Sequence, residues 1–220
     1  QMKDSFWYPI IFMLIVVVIF VGVLALMFRM SEAKIAAYEQ DSYQMLVLKV
    51  LSSRIASAGD DDVSTLLAAY PESYERYVKP FQIKGSDRPA FAAIVNDSTV
   101  AYCFEIKGKG LWGSMRALVS TSPDLTTISD FSIVNQMETP GLGARIEEDW
   151  FLAQFRDRIF AQNPDAEDVT PTYEFIAETQ EPENDGQLKR VTGATITSDA
   201  VVRMLKDEYN LIYDQLREPK

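Results

Sequence analysis

Histidine is absent from the 220 residues, and Cys103 is the single cysteine. Without histidine there is no Ser-His-Asp or Cys-His machinery and none of the common zinc sites. One thiol closes no disulfide within the chain and holds no iron–sulfur cluster. Any redox chemistry therefore has to come from an organic cofactor. Cys103 lies in the apolar stretch Val100-Ala101-Tyr102-Cys103-Phe104 and is expected in the core. Positive charge is also scarce: 21 Lys and Arg stand against 32 Asp and Glu, a net charge of −11. That balance excludes a nucleic-acid partner and a polybasic membrane-surface role. Within residues 1–30 only Lys3, Asp4 and Arg29 are charged, so the acidity belongs to the rest of the chain. Internal repeats and low-complexity tracts are absent as well.

Long apolar runs are not lacking. Phe6 to Phe28 carries no charge over 23 residues, enough to span a bilayer. Trp7 and Tyr8 mark one interface and Arg29 the other. Pro9 falls in the first turn, where a helix tolerates it. The run is long for the apolar core of a signal peptide and lacks an A-x-A site, so a retained transmembrane helix is expected. Gln1 stands before Met2, as in a fragment or a chain with an added residue. Charge alone orients the span weakly, with Lys3 facing Arg29 and Lys34.

Residues 31–57 continue as a helical pattern that carries the chain off the bilayer and packs on the following domain. Gly59-Asp60-Asp61-Asp62 ends it; there is no EF-hand spacing, and Asp61 and Asp62 are expected to cap a helix from Val63 to Tyr70. From 81 to 136 the pattern becomes β: Phe81–Lys84, Phe91–Val95, Thr99–Ile106, Trp112–Thr121 and Thr126–Gln136 read as an antiparallel meander. The turns fall at Asn96-Asp97-Ser98, Lys107-Gly108-Lys109-Gly110 and Ser122-Pro123-Asp124. A helix from Trp150 to Phe160 follows, with Trp150, Phe151, Phe155, Ile159 and Phe160 as its apolar stripe. Residues 161–187 are acidic and loop-like, with one strand from Thr172 to Ala177.

Two stretches carry candidate chemistry. Leu188–Val191 runs into Thr192-Gly193-Ala194-Thr195-Ile196-Thr197-Ser198, and a helical pattern from Ala200 to Leu216 leaves it. Thr195, Thr197 and Ser198 thus stand at a helix start, where free N–H groups and the dipole favour an anion, with Lys189 or Arg190 as a local positive charge. Read alone, the stretch is more simply a capped helix. Upstream, Glu138-Thr139-Pro140-Gly141-Leu142-Gly143 makes a tight loop. Its glycines allow Leu142 and the neighbouring amides to lie against a flat ring; the plainer reading is a strand-to-helix turn.

Together the two motifs resemble the S/T-G-A-T-x-S/T and E-T-P-G-L-G signatures of one family. This is the FMN-binding domain of the C subunit of sodium-translocating NADH:quinone reductase and of the G subunit of the Rnf complex. Gly108-Lys109-Gly110-Leu111-Trp112 is similar to a segment of the quinone-reductase C subunit and tilts the resemblance that way. The resemblance spans roughly residues 90 to 210. It implies FMN joined by a phosphoester bond to Thr195, placed there by a flavin transferase. It further implies cofactor contacts from Thr192, Gly193, Ala194, Ile196, Thr197, Glu138, Thr139, Gly141, Leu142, Gly143 and Trp112, no metal, and no residue acting as a catalyst. The implied partners are the other subunits of a membrane redox complex, and the implied place is the inner membrane, with the domain on the periplasmic face. The chain departs from the family pattern at Lys189, where an acidic residue is usual. A competing reading is therefore an anchored assembly or partner-binding module of the same fold without flavin. The expected fold is α+β: a tail (1–5), an N-terminal transmembrane helix (6–28), a juxtamembrane helical region (29–79) and one FMN-binding domain (80–220) with an antiparallel sheet flanked by helices.

Overall fold

A computed structural model describes residues 7–83, 85–159 and 173–216. The expected tail, Phe6, Lys84, Phe160 and the 161–172 stretch lie outside the described residues. The chain divides into two compact units, Gln1–Tyr43 and Gln44–Lys220.

The first unit is helical. Helix α1 runs without a break from Trp7 to Ala58, so its first part belongs to this unit and its second part to the next. The apolar part is long and apolar enough to cross a membrane, and its side chains are exposed. In the second unit the character of α1 changes. Val47, Leu48, Val50, Leu51 and Ile55 recur at helical spacing and are buried. Ser120 Oγ donates to Val50 O (2.6 Å) and Arg54 Nε to Ser129 Oγ (2.8 Å), fastening this part of the helix to the sheet.

Helix α2 (Val63–Ala68) is capped by Asp62, whose carboxylate accepts from Thr65 N at 2.6 Å. Asp61 does not cap; it accepts from the Tyr77 hydroxyl at 3.1 Å. Helix α3 (Glu72–Tyr77) then leads into a six-stranded antiparallel sheet of order β1 (Val78–Phe81), β2 (Ala90–Val95), β3 (Ser98–Lys109), β4 (Ser114–Thr121), β5 (Thr127–Asn135) and β6 (Arg158–Ile159). Pro80, which has no N–H for a ladder, sits in the edge strand β1. Asn96 and Asp97 both have positive φ, the geometry of a two-residue hairpin turn between Val95 and Ser98.

Strand β3 is longer than the sequence pattern predicts. Lys107, Gly108 and Lys109 pair with Arg116, Met115 and Ser114, so the expected turn at 107–110 is strand. Gly108 permits this: a Cβ there would lie 2.7 Å from the Met204 side chain. The turn moves to Gly110–Gly113, closed by Gly110 N donating to Gly113 O at 2.8 Å, and Trp112 sits in the turn rather than at a strand start.

A short 3-10 helix (Gly143–Glu147) and α4 (Asp149–Ala153) follow β5. The helix predicted to reach Phe160 stops at Ala153. Asp157 has positive φ, and Arg158–Ile159 pair with Ile128–Thr127 as the last strand. Of the predicted stripe, Phe151 and Phe155 are core, packing on each other and Phe155 on Phe131; Trp150 is half-buried and Ile159 is exposed because it lies in the edge strand. Strands β7 (Glu174–Ile176) and β8 (Gln187–Lys189) form a separate parallel pair, and α5 (Thr195–Leu216) closes the unit. Val201, Met204, Leu205, Tyr209, Ile212 and Tyr213 of α5 bury one stripe in the core made with β3, β4, β5 and α4. Cys103 is fully buried, and burial pushes its thiol pKa upward, away from reactivity.

Candidate functional site

The turn before α5 is built from its own backbone. Ala194 N donates to Val191 O (3.0 Å), and the Ser198 hydroxyl accepts from Val191 N (3.1 Å) while donating to Ala194 O (3.0 Å). Gly193 has φ +78°, a conformation costly to a residue with a Cβ. A Cβ there would also sit 3.0 Å from Leu142 Cδ2, so glycine lets the loop at 138–143 close over the turn. Upstream, Gln154 acts like a short strand edge. Its Oε1 accepts from Lys189 N (2.6 Å) and its Nε2 donates to Lys189 O (3.2 Å).

The three hydroxyls at the helix start differ in availability. Thr197 and Ser198 are buried, and each is committed to a hydrogen bond. Thr195, the first residue of α5, is exposed. Gly193, Thr192 and Ile196 (55 % exposed) surround it on the surface, while Ala194 is buried beneath.

Two more loops meet this turn. In the first, Leu142 N and Ala144 N both donate to Thr139 O, Gly141 has φ +74°, and Leu142 is left 45 % exposed. Thr139 is exposed and Gly143 buried. In the second, the β3–β4 turn, Trp112 is 67 % exposed and its N–H donates to Glu138 Oε1 at 3.0 Å. Glu138 is only 6 % exposed, and its other oxygen accepts from Thr197 Oγ1 at 2.6 Å. The structure thus brings all the predicted residues into one constellation of three loops. It places Glu138, Gly143, Ala194 and Thr197 inside, and Trp112, Thr139, Gly141, Leu142, Thr192, Gly193, Thr195 and Ile196 on the surface.

The electrostatics depart from expectation. Lys189 Nζ lies 2.7 Å from Glu181 and Arg190 3.0 Å from Asp199, so both cations expected to serve an anion are committed to carboxylates. Arg145 reaches Glu148 (3.0 Å) and Glu178 (2.6 Å). Hydrogen bonds from Arg145, then from the Thr192 N–H at 2.9 Å, hold the Glu178 carboxyl down at about 2. An anion at Thr195 would rely on the N–H groups of the first turn of α5. Glu178 and Gln154 are not singled out by the sequence, because neither carries a local pattern; Gly110 is legible as a turn residue and within the Gly108–Trp112 resemblance. A recess lined by Asp60, Asp61, Arg76, Tyr77, Lys79 and Asn96 lies elsewhere and includes none of the residues expected to meet the cofactor.

An exposed hydroxyl at the start of a 22-residue helix, with an exposed leucine and an exposed tryptophan on the two loops that meet this turn, fits a phosphate-bearing planar cofactor. Residues 110–210 match the family described as the FMN-binding domain. The matched segment begins at the β3–β4 turn and ends within α5, enclosing all three loops. Among characterised proteins the chain is similar to the G subunit of the proton-translocating ferredoxin:NAD(+) oxidoreductase complex of Clostridium ljungdahlii, 38% identical over 117 residues, 53% of this chain and 56% of that one. It is 33% identical over 118 residues to the G subunit of the ion-translocating oxidoreductase complex of Methanosarcina acetivorans, 54% of each chain. It is 32% identical over 94 residues to the C subunit of the Na(+)-translocating NADH-quinone reductase of Vibrio alginolyticus, 43% of this chain and 35% of that one. The match thus spans about half the length of the two G subunits and about a third of that C subunit. The fold is that of the C subunit of the Na(+)-translocating NADH-quinone reductase of Parabacteroides distasonis, with TM-score 0.55 and 20% identity over 82% of this chain and 98% of that one. NqrC of Shewanella oneidensis shares it too, with TM-score 0.56 and 16% identity over 77% of this chain and 97% of that one.

Proposed function

We propose that this chain is a membrane-anchored flavoprotein subunit of an ion-translocating oxidoreductase complex, with FMN held by a phosphoester bond at Thr195. One observation carries the reading. Of the three hydroxyls at the start of α5, Thr195 is the exposed one, while Thr197 and Ser198 are buried and bonded. A separate flavin transferase would supply the flavin from a flavin dinucleotide: Thr195 Oγ gives up its proton and bonds to the flavin-side phosphorus as the pyrophosphate link breaks and the nucleoside monophosphate leaves. The cofactor supplies electron transfer in single steps; the chain's residues bind and orient it. First-turn N–H groups of α5 would hold the phosphate, and the exposed Leu142 side chain and Trp112 ring would offer apolar surface to the isoalloxazine. The anchor is the apolar part of α1, the partners are the other subunits of the complex, and the domain stands on the periplasmic face of the inner membrane.

Between the two complexes, a G subunit is favoured over the C subunit suggested by Gly110-Leu111-Trp112. The match to the Clostridium ljungdahlii G subunit is longer and more identical than that to the Vibrio alginolyticus C subunit, at 117 residues and 38% against 94 residues and 32%.

Intact mass and peptide mapping of membrane-purified protein test the reading. FMN is expected on the Thr195 peptide of the wild type and of Thr197→Ala, and absent from Thr195→Ala. An unmodified wild-type Thr195 in cells with an active flavin transferase would leave the flavin-free assembly module as the function.

A further inference from the structure

We propose that Glu138 is a positioning residue that sets the slot for the flavin ring by tying three separate loops to one buried carboxylate. The proposal rests on the flavin reading above. Each oxygen of Glu138 has its own partner: Oε1 accepts from Trp112 N in the β3–β4 turn, and Oε2 accepts from Thr197 Oγ1 in α5. Two glycines make the contact possible. A Cβ at Gly110 would collide with Oε1, and one at Gly143 would lie 2.8 Å from Oε2 and 2.9 Å from Thr197 Oγ1. Gly110 is two residues before Trp112, Gly143 follows Leu142, and Thr197 is two residues after Thr195. The two apolar surfaces and the attachment point are therefore each within two residues of a group packed on the same carboxylate.

The chemistry suits fixed geometry. A buried carboxylate accepting from a backbone N–H and a hydroxyl makes charge-assisted bonds, stronger and shorter than neutral ones. Without it, the Thr197 hydroxyl is left buried and without its acceptor, and the β3–β4 turn loses its tie to α5. Glu138 itself is buried beneath the surface that Trp112, Leu142 and Ile196 present, so it acts through its neighbours.

The test compares Glu138→Ala, Glu138→Gln and Thr197→Val with the wild type in the full-length chain. In protein made without flavin transferase, the Trp112 amide in Glu138→Ala is expected to exchange at least about tenfold faster, as loss of a bond to a charged acceptor implies. Glu138→Gln, whose amide oxygen can still accept, is expected to retain most of that protection. In flavin-loaded protein, Glu138→Ala is expected to keep the mass on Thr195 while its visible flavin circular dichroism falls at least about twofold, the sign of a ring no longer held. Thr197→Val shifts the same signals in the same direction and adds little on top of Glu138→Ala. Unchanged amide exchange and flavin dichroism in Glu138→Ala overturn the proposal, as does full additivity with Thr197→Val. Should Glu138→Ala fail to fold, a Thr197→Val protein indistinguishable from the wild type overturns it. If the wild type carries no flavin, the functional reading falls, and amide exchange in the flavin-free chain still decides the role of Glu138.

Discussion

Three hydroxyls that look alike in the sequence have different fates in the fold. Thr195, Thr197 and Ser198 are all good residues for a helix start, and nothing local ranks them. Burial does: α5 turns Thr197 and Ser198 inward and leaves Thr195 outside. The same is true of the charges. Lys189 and Arg190 read as positive charge for an anion because their partners, Glu181 and Asp199, cannot be assigned from sequence distance. Glu178 shows what such pairing does to a titration. Its folded pKa, about 2, lies below the ordinary 4.5, so the stability it contributes is complete above 4.5 and is lost as pH falls from 4.5 towards 2. The difference in denaturation midpoint between wild type and Glu178→Gln should therefore be present at neutral pH and shrink to nothing in that acid window. Gly193→Ala is expected to cost about 1–2 kcal/mol from the left-handed backbone alone. Its collision with Leu142 should add to that, measured by chemical denaturation against wild type.

At the scale of elements, the sequence shows period better than it shows extent. The antiparallel meander and the closing helix are legible because alternation and 3.6-residue spacing persist over whole segments. Misjudged ends have physical causes. Strand β3 runs on to Lys109 because a glycine meets Met204, and α4 stops at Ala153 because the following backbone turns at Asp157 to pair with β5. The clamp from Gln154 to both polar groups of Lys189 belongs here as well, since it fixes where β8 hands over to the flavin-motif turn. Gln154→Ala removes both bonds. It is expected to destabilise by about 1–3 kcal/mol and to speed exchange of the Lys189 amide, checked by denaturation and amide exchange.

At the scale of the whole molecule, the apolar patterning of α1 changes along its length. The segment up to Phe28 is apolar and exposed, residues 29–42 carry charge, and the segment after Tyr43 has a buried face of valine, leucine and isoleucine. A chain of residues 44–220 is therefore expected to unfold in one cooperative transition. A chain starting at residue 59 uncovers the sheet residues that Val50 and Leu51 shield and should aggregate or lose its transition. Within the retained helix, Leu51→Ala is expected to cost about 2–5 kcal/mol in the same melt.

The carboxylate between Gly110 and Gly143 bears on how such a site can be transplanted. A Cβ at either glycine meets an oxygen of Glu138, and that oxygen in turn serves a neighbouring stretch. A graft of the 192–198 segment alone into a foreign scaffold would bring the Thr195 hydroxyl without its frame. The three stretches are separated by 26 and 59 residues along the chain from Trp112 to Glu138 and from Glu138 to Thr197, yet they are exchangeable between proteins only as a single cassette.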